Sequence, residues 1–237
     1  MTYDLVIGDR GYSSWSLRGW LCFDAFGVPV KVHTARLYTD ELATLLRDFV
    51  PGRTAPTMRT PDGVVVPETI AIAEELASRH PGAGHWPRDP KARAVARALA
   101  AEMHSGFSAL RSHSPMNLRV SYADCTPPPE VLADLKRLEL IWSYARRETN
   151  TRTPWLCGDY SVADAFFAPV AARIAGYNLP VGPDAMAYVA AHLSHPSFRR
   201  WRAMGLVDGA DQETYRRDYP RRPWPGPVPL SARAVEG

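Results

Sequence analysis

Cysteine is scarce: only Cys22, Cys125 and Cys157 occur in 237 residues. Their number is odd, their spacing is wide and no CxxC exists, which excludes a dithiol redox motif, a cysteine zinc knuckle and a disulfide scaffold. No run of 18 apolar residues occurs, so no membrane-spanning helix and no membrane partner are expected. The opening MTYDLVIGDRG has neither a basic leader nor a long apolar run. No signal peptide is therefore expected, and the cytoplasm is the expected compartment. A large excess charge is also missing: 28 basic residues stand against 25 acidic ones, net +3. That is too weak a balance to point to nucleic acid. The one small basic cluster, Arg216, Arg217, Arg221 and Arg222, reads as a solvated tail. GxSxG and GxGxxG are absent, which argues against a hydrolase nucleophile elbow and a dinucleotide-binding loop.

What is present is a chain of ordinary globular composition, 46% hydrophobic and 22% charged. Tyr3–Ile7 reads as a strand and Leu17–Phe26 as a helix ending at Gly27. Pro29–Thr34 alternates like a strand, and Leu37–Val50 reads as a helix stopped by Pro51-Gly52. Residues 56–66 read as a hairpin turning at Asp62-Gly63, and Glu68–Arg79 as a helix. The order is βαβαββα, a small mixed sheet with helical cover over residues 1–80. Prolines and glycines at 81, 82, 84, 87 and 90 make 81–90 a linker. Strand signals then stop. Lys91–Arg111 reads as one long helix, with Val95, Leu99, Met103, Phe107 and Leu110 on a stripe, and Glu130–Glu148 as another. Ser161-Val-Ala-Asp164 spells a capping box opening a third, and shorter helices are expected near 183–193 and 195–204. The fold class expected is thus α/β followed by an all-helical domain over 91–210. A proline-rich tail, 211–237, ends the chain and either wraps the body through Trp224 and Leu230 or hangs free.

Three places could carry chemistry. Ser13, Ser14 and Ser16 lie between a strand and a helix start, where unpaired N–H groups and the helix dipole favour an anion or a thiolate. The plain alternative is that one serine caps the helix and the others fill the loop. Arg53-Thr54-Ala55-Pro56 enters a strand; with a cis Ala55–Pro56 bond the backbone of Ala55 would face a peptide-like ligand, with a trans bond it is an ordinary strand edge. Glu68 and Thr69 open a helix and offer a carboxylate and a hydroxyl to a zwitterionic amino-acid head, or merely an acidic first turn. His104 has no partner at metal-ligand spacing, and no metal site is expected.

In this order and spacing the motifs resemble the cytosolic glutathione transferase superfamily over about residues 1–210. SSWSLR at Ser13–Arg18 is similar to the serine motif of zeta-like and related bacterial branches. TAP at Thr54–Pro56 resembles the family's element with a cis-proline. Glu68-Thr69 resembles the pair that grips the γ-glutamyl end of glutathione, and SVADAFFAPV at Ser161–Val170 the second domain's core helix.

The resemblance implies a thioredoxin-like first domain and a cytoplasmic homodimeric transferase of the detoxifying kind, with glutathione as cosubstrate. It implies Ser13 as the catalytic serine, with Ser14 a close second. Arg53, Thr54, Ala55, Pro56, Glu68 and Thr69 would form the glutathione site, and Met103, His104, Phe107 and Arg111 a second-substrate pocket on one helix face. The plain alternative for Met103 and Phe107 is core. The fuller signature SSCSWR is not met, since Trp15 and Leu17 stand in it. The activity expected is conjugation of glutathione to a small electrophile. The alternatives are a glutathione-dependent isomerase of the maleylacetoacetate type and a non-catalytic binding protein.

Overall fold

The computed structural model describes residues 2–228. Four strands, β1 (Tyr3–Ile7), β2 (Val30–Thr34), β3 (Thr57–Arg59) and β4 (Val65–Val66), form one sheet in the order β2-β1-β3-β4. β1 pairs in parallel with β2 and antiparallel with β3, and β3–β4 is the expected hairpin. Successive side chains of β1 point to opposite faces. Tyr3, Leu5 and Ile7 enter the main core, whereas Val6 joins Leu46 and Phe49 on the other face. α1 (Ser14–Asp24) and α3 (Thr69–Arg79) cover the first face. α2 (Asp40–Leu46), continued by a 3-10 turn, covers the second. This is the βαβαββα order of a thioredoxin-like domain.

The other half is helical: α4 (Pro90–Ser105), α5 (Ser108–His113), α6 (Pro129–Thr149), α7 (Val162–Tyr177), α8 (Pro183–Ser194) and α9 (Pro196–Val207). Every residue of α7 is buried, and α1, α4 and α8 pack around it. The capping box is present. Asp164 accepts from the Ser161 N–H at 2.9 Å, the Tyr188 hydroxyl at 2.8 Å and the Leu156 N–H at 3.2 Å. The linker is pinned between the halves, where His85 donates to the Cys22 carbonyl at 2.9 Å and stacks on Phe26.

Two expectations are corrected. The long helix over 91–111 is broken. Gly106 ends α4, Phe107 takes the left-handed region at φ 58, and the Asp134 carboxylate of α6 accepts the Leu110 N–H at 2.9 Å. The apolar stripe continues across the break because both pieces bury toward the same core. The arginine cluster is not a freely solvated tail. Arg221–Arg222 forms a short strand, β6, against β5 (Ser121–Tyr122). Arg222 donates to the Ala175 carbonyl and Asn178, and Trp224 lies under Arg202 at 4.4 Å. Aromatic side chains spaced along the segment hold it to the body. Leu230, the other expected anchor, lies outside the described residues. Among the described residues no helix is long and apolar enough to cross a membrane.

Candidate active site

The β1–α1 loop is organised by Asp9. Its carbonyl accepts from the Tyr12 and Ser13 N–H groups, and its carboxylate from the Leu37 N–H at 2.6 Å. Ser13 is thereby held in extended conformation as the cap of α1, accepting from the Ser16 N–H at 3.3 Å. Its hydroxyl donates to Ser16 Oγ at 2.7 Å, and Ser16 Oγ also accepts from the Gly8 N–H at 3.0 Å. The Ser13 proton is therefore committed inside the loop. Ser14 is the first helical residue and half-buried, and its Oγ accepts from Arg173 Nη2 at 3.3 Å. A hydroxyl whose oxygen is held by a guanidinium keeps its proton free to donate.

A cleft of about 670 Å³ opens here between the two halves. Ser13, Ser14 and Trp15 line it from α1, Arg53, Thr54 and Ala55 from the loop before β3. The Ala55–Pro56 bond is cis, as the resemblance of the Thr54–Pro56 element implied, and Val50–Pro51 is cis too. Pro56 itself is buried behind the cleft against α1. A Cβ on Gly19 would come within 2.8 Å of its ring, so only glycine allows this approach. Thr69 is buried at the start of α3 and Glu68 is exposed beside it; both lie outside the cleft's lining.

Of the four residues expected as a second-substrate pocket, only Arg111 lines the cleft. Met103 and Phe107 are buried in the core. The helix break separates them from Arg111, so the single helix face expected for His104, Phe107 and Arg111 does not exist. His104 packs its ring on Trp15 at 5.1 Å and approaches Glu68 at 3.7 Å. Burial lowers its pKa more strongly than Glu68 raises it.

The electrostatics are set by Arg18, Arg111 and Arg173, of which sequence reading gave only Arg111 a place in the site. Arg18 is fully buried, donates to the Phe166 carbonyl at 2.8 Å and lies over one side of Trp15 at 4.5 Å. Arg111 lies over the same ring at 4.7 Å. Arg173, from the middle of α7, donates to the Ser114 and Pro169 carbonyls as well as to Ser14. Burial pulls the Arg173 pKa down to about 10, helped by the Arg111 charge. Burial, then Arg173 and Arg111, lowers that of Arg18. Positive charge thus accumulates behind the serines. The cysteines offer no rival nucleophile, since burial pushes the Cys22 and Cys157 thiols up to about 12.

The segment after α9 completes the cleft, a role that sequence reading did not give it. Arg119 donates to the carbonyls of Gly205, Asp208 and Gly209 and pairs with Asp211 at 2.9 Å. So fixed, residues 208–217 cross the site loop. Gln212 donates through its backbone N–H to the Tyr12 hydroxyl, and Thr214, Tyr215 and Arg217 line the cleft.

A helix start presenting Ser14, an Ala55 backbone edge and a cationic rear wall is a site suited to a peptide carrying a thiolate. Residues 12–79 match the family described as glutathione S-transferase, N-terminal domain. That stretch is thus a glutathione S-transferase N-terminal domain. A probable maleylacetoacetate isomerase of Caenorhabditis elegans is 26% identical over 199 residues, covering 77% of this chain and 89% of that protein. Among solved structures, a Burkholderia glutathione transferase homologue with bound glutathione shares the fold. Its TM-score is 0.65 at 22% identity, covering 86% of this chain and 98% of the other. A Sulfitobacter homologue, also with bound glutathione, gives 0.60 at 18% identity, covering 87% and 99%. The transferase fold thus joins a thioredoxin-like domain to a helical one in this chain too.

Proposed function

We propose that this transferase-fold chain binds glutathione, lowers the pKa of its thiol and transfers the thiolate sulfur to a small electrophile. The observation that carries the reading is the pairing of Ser14 Oγ with the Arg173 guanidinium at the start of α1. A free thiol ionises near pH 8.5, so only a few per cent is thiolate at pH 7. Ser14 donates its proton to the sulfur anion while the guanidinium and the helix dipole hold the hydroxyl oxygen and stabilise the negative charge. A hydrogen bond to a charged group is worth about 1.5–3 kcal/mol, or about one to two pK units. Arg53, Thr54 and the Ala55 backbone would hold the cysteinyl and glycyl parts, with Pro56 fixing that loop. Glu68 and Thr69 would hold the γ-glutamyl head. Ser13 serves as the cap that orients the helix. The enzyme would act in the cytoplasm as a two-fold homodimer.

The similarity to a probable maleylacetoacetate isomerase favours a second reading, in which the same activated thiol serves an isomerase. The two part on substrate: conjugation consumes glutathione, whereas isomerisation returns it.

The deciding experiment compares Ser13→Ala, Ser14→Ala and the double variant by thiolate difference absorbance and steady-state kinetics. Ser14→Ala should lose the thiolate signal near neutral pH and turn over about tenfold to a few hundredfold more slowly. Ser13→Ala should keep the signal and lose about 1 kcal/mol of stability with its cap. A double variant as fast as the unmodified protein would refute thiolate activation by serine. Glutathione binding without turnover would make the chain a binding protein.

A further inference from the structure

Four arginines line the cleft, Arg53, Arg111, Arg173 and Arg217, and no aspartate or glutamate does. They are not equivalent. Arg53 shares the loop of Ala55, and Arg173 is committed through all three nitrogens to Ser114, Pro169 and Ser14. Arg111 is half-buried, lies over Trp15 and donates its backbone N–H to the Phe107 carbonyl, but its guanidinium has no hydrogen bond or ion pair among the described residues. Arg217 is half-buried too. Its backbone N–H is fixed on the Tyr122 hydroxyl, and Nη1 donates only to the nearby Thr214 and Arg216 carbonyls. Bringing cations together in a half-dry cleft without a counter-charge is unfavourable until an anion enters.

The segment carrying Arg217 is built into the site rather than draped over it. Tyr215 packs on Tyr12 at 4.8 Å and meets the Tyr38 hydroxyl at 3.1 Å. Tyr38 makes this contact from a left-handed backbone at φ 60, a conformation that non-glycine residues seldom adopt. Gln212 anchors the same strap to Asp9 and the Leu37 carbonyl. Two elements far apart in sequence, α5 and this strap, thus each aim a guanidinium with no carboxylate partner at one cleft that also offers the rings of Trp15, Tyr38 and Tyr215.

We propose that Arg111 and Arg217 form a carboxylate-recognition subsite for the electrophile, so that the second substrate is a carboxylate-bearing organic acid with an unsaturated or aromatic skeleton. Guanidinium groups bind carboxylates through paired N–H donors, and aromatic walls accept a flat skeleton. The inference rests on the glutathione transferase reading.

The test uses the full chain and a matched pair of electrophiles, 4-chloro-3-nitrobenzoate and its methyl ester, each rate divided by its uncatalysed rate with glutathione. In both, the thiolate sulfur bonds to the ring carbon bearing chlorine, that C–Cl bond breaks, and chloride leaves with the electron pair. The acid should be preferred about tenfold or more, and this preference should fall about ten- to hundredfold in Arg111→Gln and Arg217→Gln. Preference for the ester, or a ratio unmoved in both variants, overturns the subsite. So does an effect confined to the KM of glutathione and equal for both electrophiles, which would give these arginines to the tripeptide. Should Arg111→Gln fail to fold, Arg217→Gln on the strap decides alone. Binding of unreactive 3-nitrobenzoate, followed by tryptophan fluorescence, separates the two levels of the argument. If neither electrophile is turned over, the transferase reading fails. The subsite then stands only if 3-nitrobenzoate binds and is weakened at least tenfold in the variants; otherwise it falls too.

Discussion

Arg173 Nη2 donates to Ser14 Oγ at 3.3 Å, a contact between residues 159 positions apart. The helical half therefore reaches into the first turn of α1 and adds to the Arg18 and Arg53 charges of the thioredoxin-like half a guanidinium set against the Ser14 hydroxyl. Removing that charge should act on the sulfur rather than on ligand affinity. Arg173→Gln should raise the pKa of bound glutathione's thiol by about one unit or more, and Arg173→Lys should restore part of the shift. A pH titration of thiolate absorbance measures it. A purely structural Arg173, holding Ser114 and Pro169, would lower the melting temperature and leave the thiol pKa unmoved.

Leu132, Leu140 and Tyr144 stand exposed on α6 at spacings of eight and four, one face of the helix. A two-fold dimer needs an interface of roughly 1,000 Å² or more, and this stripe is a natural part of it. Sedimentation at micromolar concentration should give twice the chain mass, and Leu140→Glu should shift it toward the monomer. A monomeric unmodified protein would remove this role from α6.

His192 is buried against Tyr188 at 4.4 Å and Trp155 at 5.3 Å. Burial brings its pKa down to about 3 and that of the neighbouring His195 to about 4. Both are neutral in the fold, and the unfolded chain takes up their protons first, below its ordinary value near 6.5. Stability should thus be flat above pH 7 and fall as pH drops from about 6.5 toward 4. His192 alone contributes a slope of up to roughly 1.4 kcal/mol per pH unit, and half-exposed His195 less. Urea titrations from pH 8 to pH 4.5 check this; His192→Gln should flatten the acid limb.

Gly19 meets the Pro56 ring where α1 crosses the cleft's rear wall. Gly19→Ala should lower stability by about 1–3 kcal/mol and should disturb the Ala55 edge, raising the KM of glutathione more than it lowers turnover. Thermal unfolding and steady-state kinetics on the same sample give both numbers.

Local structure was legible because it is a local property. Alternation in YDLVI, the Ser161–Asp164 box and the Asp62-Gly63 turn each act over a few residues, and β1, α7 and the hairpin formed where those signals lie. The serine loop and the Thr54–Pro56 element could be read for the same reason. Which of the Ser13 and Ser14 hydroxyls meets a guanidinium could not, because Arg173 comes from the other half of the chain. Arg173 sits in the middle of an apolar helix, where a sequence shows only an interruption of its burial pattern. The break at Gly106–Phe107 was hidden because the apolar period runs through it; what caps the new helix beyond it is an Asp134 carboxylate from α6, 24 residues beyond the N–H that it accepts. Five prolines in the last stretch excluded helix, yet said nothing of where the chain would lie. The course of residues 211–215 past Tyr12 and Tyr38, and of Trp224 to Arg202, was decided by tertiary packing, since aromatic rings and guanidiniums find partners according to the shape of surfaces that exist only once the two halves have docked.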